Sequence, residues 1–162
     1  MKLSRETIVR SQKLDYALVS SLERDPLLAE RLKRLRTIPG VGPITALTWA
    51  LEIDVSRFQS VKQAISYCGL CSAERSSADK LVRMPISKQR NKHIQQTLVE
   101  AAKLAPRYSH ELALVYERER QRGNRNRATL VVARKMVAYM LAVERRKQDF
   151  VLKGEFSGTA AA

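Results

Sequence analysis

Five residues, Pro39-Gly40-Val41-Gly42-Pro43, constrain this chain more than any others. They interrupt two segments of helical apolar period and exclude one continuous helix, because proline inside a helix removes an amide and clashes with the preceding turn. Gly40 and Gly42 are expected to supply the positive φ angles and close backbone approach of a tight helix-to-helix turn. Pro43 suits the first turn of the next helix, where a missing N–H costs nothing. The pattern therefore predicts a helix–hairpin–helix whose second helix opens with unpaired amides. Those amides, together with the helix dipole, form an anion site. A plain αα-hairpin turn has the same spacing. With 30 Lys and Arg against 16 Asp and Glu, a net charge of +14, the chain has the electrostatic footprint of a nucleic-acid binder. Phosphate is accordingly the expected anion, held by Gly40, Val41, Gly42, Ile44 and Thr45.

A chain of 162 residues with 44% hydrophobic content can bury a core, and that content argues against global disorder. No apolar run approaches the ~20 residues of a membrane span, and no signal-peptide pattern opens the chain, so a cytoplasmic protein is expected. Aromatic residues make up only 6% and are scattered, which weakens any case for a base-stacking, single-strand platform. Cys68-Gly-Leu-Cys71 has C-x-x-C spacing, but a zinc site needs four ligands. There is no second pair, and His93 and His110 are the only histidines. The expectation is a structural Cys68 at a helix end, with Gly69 as the cap, and no metal.

Nearly all of the sequence reads as helix, giving an all-α fold class. Apolar positions mark a lead-in over residues 1–24, helical from about Glu6 to Leu22. Asp25-Pro26 opens a second helix, carrying Leu28, Leu32 and Leu35. Ile44 to Ile53 follows the turn, with Ala46, Leu47, Ala50 and Leu51 toward a core, and Ser60 caps a short helix that ends at Gly69. Leu70 to Ser87 has no clean period and reads as a loop of about 15 residues, a length that is usually functional or disordered. Ile94, Leu98, Ala101 and Ala105 mark a helix stopped by Pro106. Tyr108, Leu112, Val115 and Tyr116 mark the next, closed near Gly123, and the last runs from about Arg127 to Phe150. Residues 25–150 form the expected domain and 151–162 a disordered tail. Arg118, Arg120, Arg122, Arg125 and Arg127 crowd the last helix junction, either as a phosphate contact or as a solvated face partly neutralised by Glu117 and Glu119.

Several of these segments recur in a familiar order: Ile38-Pro-Gly-Val-Gly-Pro-Ile-Thr-Ala46, Arg57-Phe58, Tyr67-Cys-Gly-Leu70, Glu74-Arg-Ser-Ser77, Ile86-Ser-Lys-Gln-Arg-Asn91, Leu98-Val-Glu-Ala-Ala102 and Ala133-Arg-Lys135. From about Leu32 to Tyr139 the chain resembles the carboxy-terminal domain of the DEDD insertion-sequence transposases, relatives of the Piv-type DNA invertases. Residues before about Asp25 would then end the coiled-coil segment that precedes this domain. The resemblance implies bacterial, nucleoid-associated DNA recombination, guided in several members by a structured RNA. It also implies a RuvC-like domain, in cis or in trans, whose acidic residues hold divalent metal such as Mg; no cofactor is expected in this chain. By the same resemblance Ser77, with Ser76 as the fallback, is the serine that attacks the DNA backbone.

A serine hydroxyl needs a base or metal to activate it, and no paired acidic cluster stands in this chain, so catalysis by these residues alone is not expected. The sequence departs from the family pattern at Ala78, Met84 and Arg90, where glycines are expected, and at Ser72 and Gln95. DNA-phosphate contacts are expected from the turn, from Lys88 and Lys92, and from Arg122, Arg125 and Arg127. Two alternatives stand beside the recombinase reading. One is a non-enzymatic binding module in which Ser77 is incidental. The other is an assembly domain that pairs copies through the Val131, Met136, Met140 and Val143 stripe of the last helix.

Overall fold

Side-chain caps set where most of the helices begin. The computed structural model describes residues 2–22, 24–77, 80–86 and 91–151. Within them run α1 (Lys2–Leu22), α2 (Pro26–Leu35), α3 (Pro43–Glu52), α4 (Val61–Tyr67), α5 (Lys92–Leu104), α6 (His110–Arg122) and α7 (Arg125–Arg146). Asp25, Ser60, Asn91, Ser109 and Asn124 each accept hydrogen bonds from first-turn amides of α2, α4, α5, α6 and α7, satisfying donors that have no partner within the helix. The all-α architecture holds, with one addition. Where a loop was expected, an antiparallel hairpin forms from β1 (Ser72–Ser77) and β2 (Lys80–Ile86), pairing Ser72 with Ile86 and Ser77 with Lys80. Its ladder is made by backbone groups, which any non-proline residue supplies, so the polar side chains gave no period-2 signal. Lys88 and the tail from 152 lie outside the described residues.

Helix α7 is the axis of the core. Ala128, Val132, Ala133, Met136, Val137, Met140, Leu141 and Val143 are all buried, and α2, α4, α5 and α6 pack around it. Of the Val131, Met136, Met140 and Val143 stripe, the last three are therefore interior and Val131 is half-buried. The helix also ends earlier than its apolar pattern suggests. Lys147 turns into the left-handed region at φ 52°, and Phe150 folds back so that its ring lies 4.7 Å from that of Tyr139. The Phe150 amide donates to Thr37 Oγ1 at 2.8 Å, tying the segment after α7 to the segment after α2. Leu51 is exposed rather than core-facing. Among the α1 residues whose side chains are described, Val19 alone is fully buried, while Ile8, Leu14 and Leu18 face outward.

A forked ion pair joins three helices. The Arg31 guanidinium donates to Glu144 Oε1 at 2.9 Å and Oε2 at 2.6 Å, and also to the carbonyls of Ala50 and Ile53. One side chain thus links α2 to α7 and closes the carbonyl end of α3. Hydrogen bonding to Glu144 holds the guanidinium above its ordinary pKa, so it stays charged at every accessible pH.

Helices α3 and α5 run antiparallel. At one end Asn91 Nδ2 donates to Glu52; at the other, the turn before α3 touches the residue after α5. Gly40 has φ +85°, and a Cβ there would lie 2.6 Å from Ala105 Cβ and 2.7 Å from its Cα. Gly42 corrects the expectation from sequence. Its φ of −84° and ψ of 175° are extended, and nothing lies within 4 Å of a Cβ built there. Of the two turn glycines, only Gly40 needs to be glycine on conformational and packing grounds. Gly40→Ala should cost at least about 2 kcal/mol in denaturant unfolding, from left-handed strain and overlap with Ala105. Gly42→Ala should cost less, about 0.5–1 kcal/mol, from the poorer N-cap alone.

Candidate nucleic-acid interface

The turn between α2 and α3 opens onto a groove of about 840 Å3. One wall is the segment from Arg36 to Thr45. The other is a single face of α5, where His93, Gln96, Thr97, Glu100, Ala101 and Leu104 recur at spacings of three and four. Tyr108, which closes the short 3-10 turn Ala105–Arg107 after α5, completes the lining. Sequence periodicity placed Tyr108 on a helix face. It instead precedes α6, whose N-cap is Ser109, and is 67% exposed. The polar half of the α5 pattern was the signal that could have revealed this second wall.

The five turn residues have different roles. Val41 is buried and its amide donates to the Ile38 carbonyl at 3.0 Å, so it anchors the turn. Gly42 is the N-cap of α3 and provides no side-chain cap; Pro43 follows at N1. Among α2 to α7, α3 alone lacks such a cap. The amides of Gly42, Ile44 and Thr45 find no acceptor among the described residues. They therefore combine unpaired donors with the positive end of the helix dipole. Ile44 is exposed, whereas Thr45 is only 9% exposed.

The other basic positions do not converge on the turn. Lys92 is exposed in the first turn of α5, near Glu52 and about 18 Å of helix rise from Leu104. Arg122, Arg125 and Arg127 lie at the corner between α6 and α7, at the far end of α6 from Tyr108. Glu119 partly neutralises that corner, at 3.9 Å from Arg122 and 3.3 Å from Arg127, and Glu117 pairs with Arg120 at 3.1 Å. Arg118 and Arg125 have no carboxylate partner among the described residues. Arg125 and Arg127 also sit in the first turn of α7, which holds no acidic residue. That concentrates positive charge at the positive end of a dipole.

Ser77 ends β1 and Ser76 precedes it, about 16 Å of strand from Ser72. The hairpin leaves the helical body through a Schellman cap. Gly69, at φ +67°, donates to Ser66 O at 2.9 Å and Leu70 to Ile65 O at 3.1 Å, the bond pair of that motif. The carbonyls so exposed are taken up from two helices: Gln95 Nε2 donates to Gly69 O and Arg134 Nε to Leu70 O at 2.8 Å. Cys68 occupies the C-cap of α4 and is fully buried. Burial, aided by the Glu52 charge, pushes its thiol up to about 12. No group of three or more His, Cys, Asp or Glu side chains suited to a metal ion occurs among the described residues. The thiolate is the reactive form, so Cys68 should resist a thiol reagent at pH 8 until the chain unfolds, while half-buried Cys71 reacts in the native state. Equal rates in a stopped-flow thiol assay would contradict this assignment.

These features define a strongly basic helical domain with an uncapped, groove-facing helix start. Residues 32–118 match the model of the IS116/IS110/IS902 transposase family, more than half of the chain, and the chain belongs to that family. It is 40% identical over 76 residues to a Sinorhizobium fredii protein titled "Putative transposase y4qE", covering 46% of this chain and 20% of that one. It is 29% identical over 126 residues to the transposase for insertion sequence element IS1111A of Coxiella burnetii, covering 75% of this chain and 35% of that one. The chain thus spans between a fifth and about a third of the length of these curated relatives. No helix among the described residues is long and apolar enough to cross a membrane.

Proposed function

We propose that this chain is the DNA-contacting carboxy-terminal domain of a DEDD-type transposase, related to the Piv-type invertases, built on a helix–hairpin–helix. The observation that carries the reading is the uncapped start of α3. The amides of Gly42, Ile44 and Thr45 have no acceptor among the described residues, in a transposase-family chain of net charge +14. A backbone phosphate satisfies those donors and meets the dipole. The Arg118, Arg122, Arg125 and Arg127 corner supplies a second phosphate contact, and Lys88 and Lys92 add to the field. Such contacts fix register on the duplex without reading sequence.

Ser77 is the proposed nucleophile in this reading. As its hydroxyl gives up a proton, an Oγ–P bond forms, a P–O bond to deoxyribose breaks, and the released sugar oxygen takes a proton. A divalent metal held by a RuvC-like domain would supply Lewis-acid chemistry there. What this chain provides is the hydroxyl, the hairpin that carries it and the grip on the backbone. A structured guide RNA and a second protomer are further proposed partners of the assembled recombinase.

Fluorescence anisotropy with duplex DNA tests the phosphate grip. Neutralising about six phosphates gives a log–log salt slope near −5. Gly42→Asp should weaken binding while raising stability by about 0.5–1 kcal/mol, since it caps α3 with a negative charge. Unchanged binding with raised stability would remove the turn from the interface. For the nucleophile, strand transfer by a protein joining this chain to a RuvC-like domain should be abolished by Ser77→Ala with DNA binding retained. Transfer at the unsubstituted rate would favour the non-enzymatic binding module.

A further inference from the structure

A duplex phosphate alone leaves most of the groove beside α3 unused. Two observations indicate more. Thr45 is nine-tenths buried and lines the groove, and its side chain has no hydrogen-bond partner among the described residues. Its hydroxyl is open to the groove rather than sealed from solvent, so a polar ligand atom can take the place of water on it beside the Ile44 and Thr45 amides. The second observation is Tyr108, whose ring lines the same groove and is largely exposed.

The contact between Gly40 and Ala105 brings these features to one end. Tyr108 belongs to the turn that starts at Ala105, to whose carbonyl its amide donates at 3.0 Å. Gly40 packs against that same Ala105. The aromatic ring, the exposed side chains of Ile44 and Leu104, and the uncapped start of α3 therefore share one mouth. A fully stacked base pair cannot use such an arrangement, because its base faces are covered by neighbours.

We infer that the groove holds one unpaired nucleotide, its phosphate on the Ile44 and Thr45 amides and the Thr45 hydroxyl, its base against Tyr108. The inference rests on the nucleic-acid reading given above and deepens it. The low aromatic content weakens the case for a platform of several stacked bases, whereas this inference needs one exposed ring, that of Tyr108. Both DNA and RNA offer this chemistry, as a bulge, a flap or a junction.

The test uses the full chain and a duplex carrying one unpaired 2-aminopurine, prepared as DNA and as RNA, with the fully paired duplexes as controls. Binding should quench the 2-aminopurine fluorescence and favour the bulged over the paired ligand by about tenfold, the effect of one stacked base. Tyr108→Ala should abolish both the quenching and the preference for the bulged over the paired ligand, and Tyr108→Phe should keep both. The arm that shows quenching, DNA or RNA, identifies the source of the nucleotide. Equal affinity for bulged and paired ligands, or a preference that survives Tyr108→Ala, overturns this inference alone. Absence of binding to every ligand overturns it together with the DNA-contacting role.

Discussion

The near-contact of Gly40 with Ala105 is the constraint on which the rest of the arrangement depends. It requires a residue with no Cβ at a left-handed position, and it brings the start of α3 against the end of α5. Asn91 and Glu52 fix the opposite ends of the same two helices. With both ends pinned, the antiparallel pair has one register, and the groove between its walls follows from that register. One wall of the groove is a face of α5 and the other a turn pinned through Gly40, which suits a site meant to hold a ligand in fixed geometry.

A second fixed point keeps α3 from moving along its axis. Arg31 donates at once to the Glu144 carboxylate and to two carbonyls at the end of α3, so the end of α3 cannot shift without breaking hydrogen bonds to a charged group. Losing Glu144 would leave a half-buried guanidinium with only the carbonyls as partners, the costly direction of such a change. The two ends of α3 are thus treated differently. Its carbonyl end is satisfied by Arg31, while its amide end is left open to the groove.

The sequence was most readable where a residue type has one local use. Asp25-Pro26, Ser60, Pro43 and Gly69 marked helix ends because capping and φ restriction act over three or four residues. Gly40 was readable for the same reason. Its neighbour Gly42 was not, since an extended N-cap does not need glycine and spacing alone cannot tell the two apart. The hairpin from Ser72 to Ile86 was hidden because its pairing is between backbone groups. Tyr108 was assigned to a helix because it falls in phase with Leu112 and Val115; only tertiary packing of the Ala105 turn takes it out of phase. The site was half visible. Its turn is local in sequence, whereas its α5 wall lies some 50 residues later and becomes a wall only through the Gly40 contact.

The choice of residue at position 42 bears on what the open helix end is for. The backbone there is extended and the space beside it is empty, so serine, aspartate or asparagine would fit and would cap α3 as their counterparts cap five other helices in this chain. A cap would satisfy a donor and add stability. Glycine forgoes that, and the following proline removes one further donor without blocking the groove. A capping oxygen would compete with any ligand for the first-turn amides, and an aspartate would place negative charge where the proposed phosphate sits. Folding alone favours a cap at this position; an uncapped start is the arrangement that leaves the amides to an incoming anion.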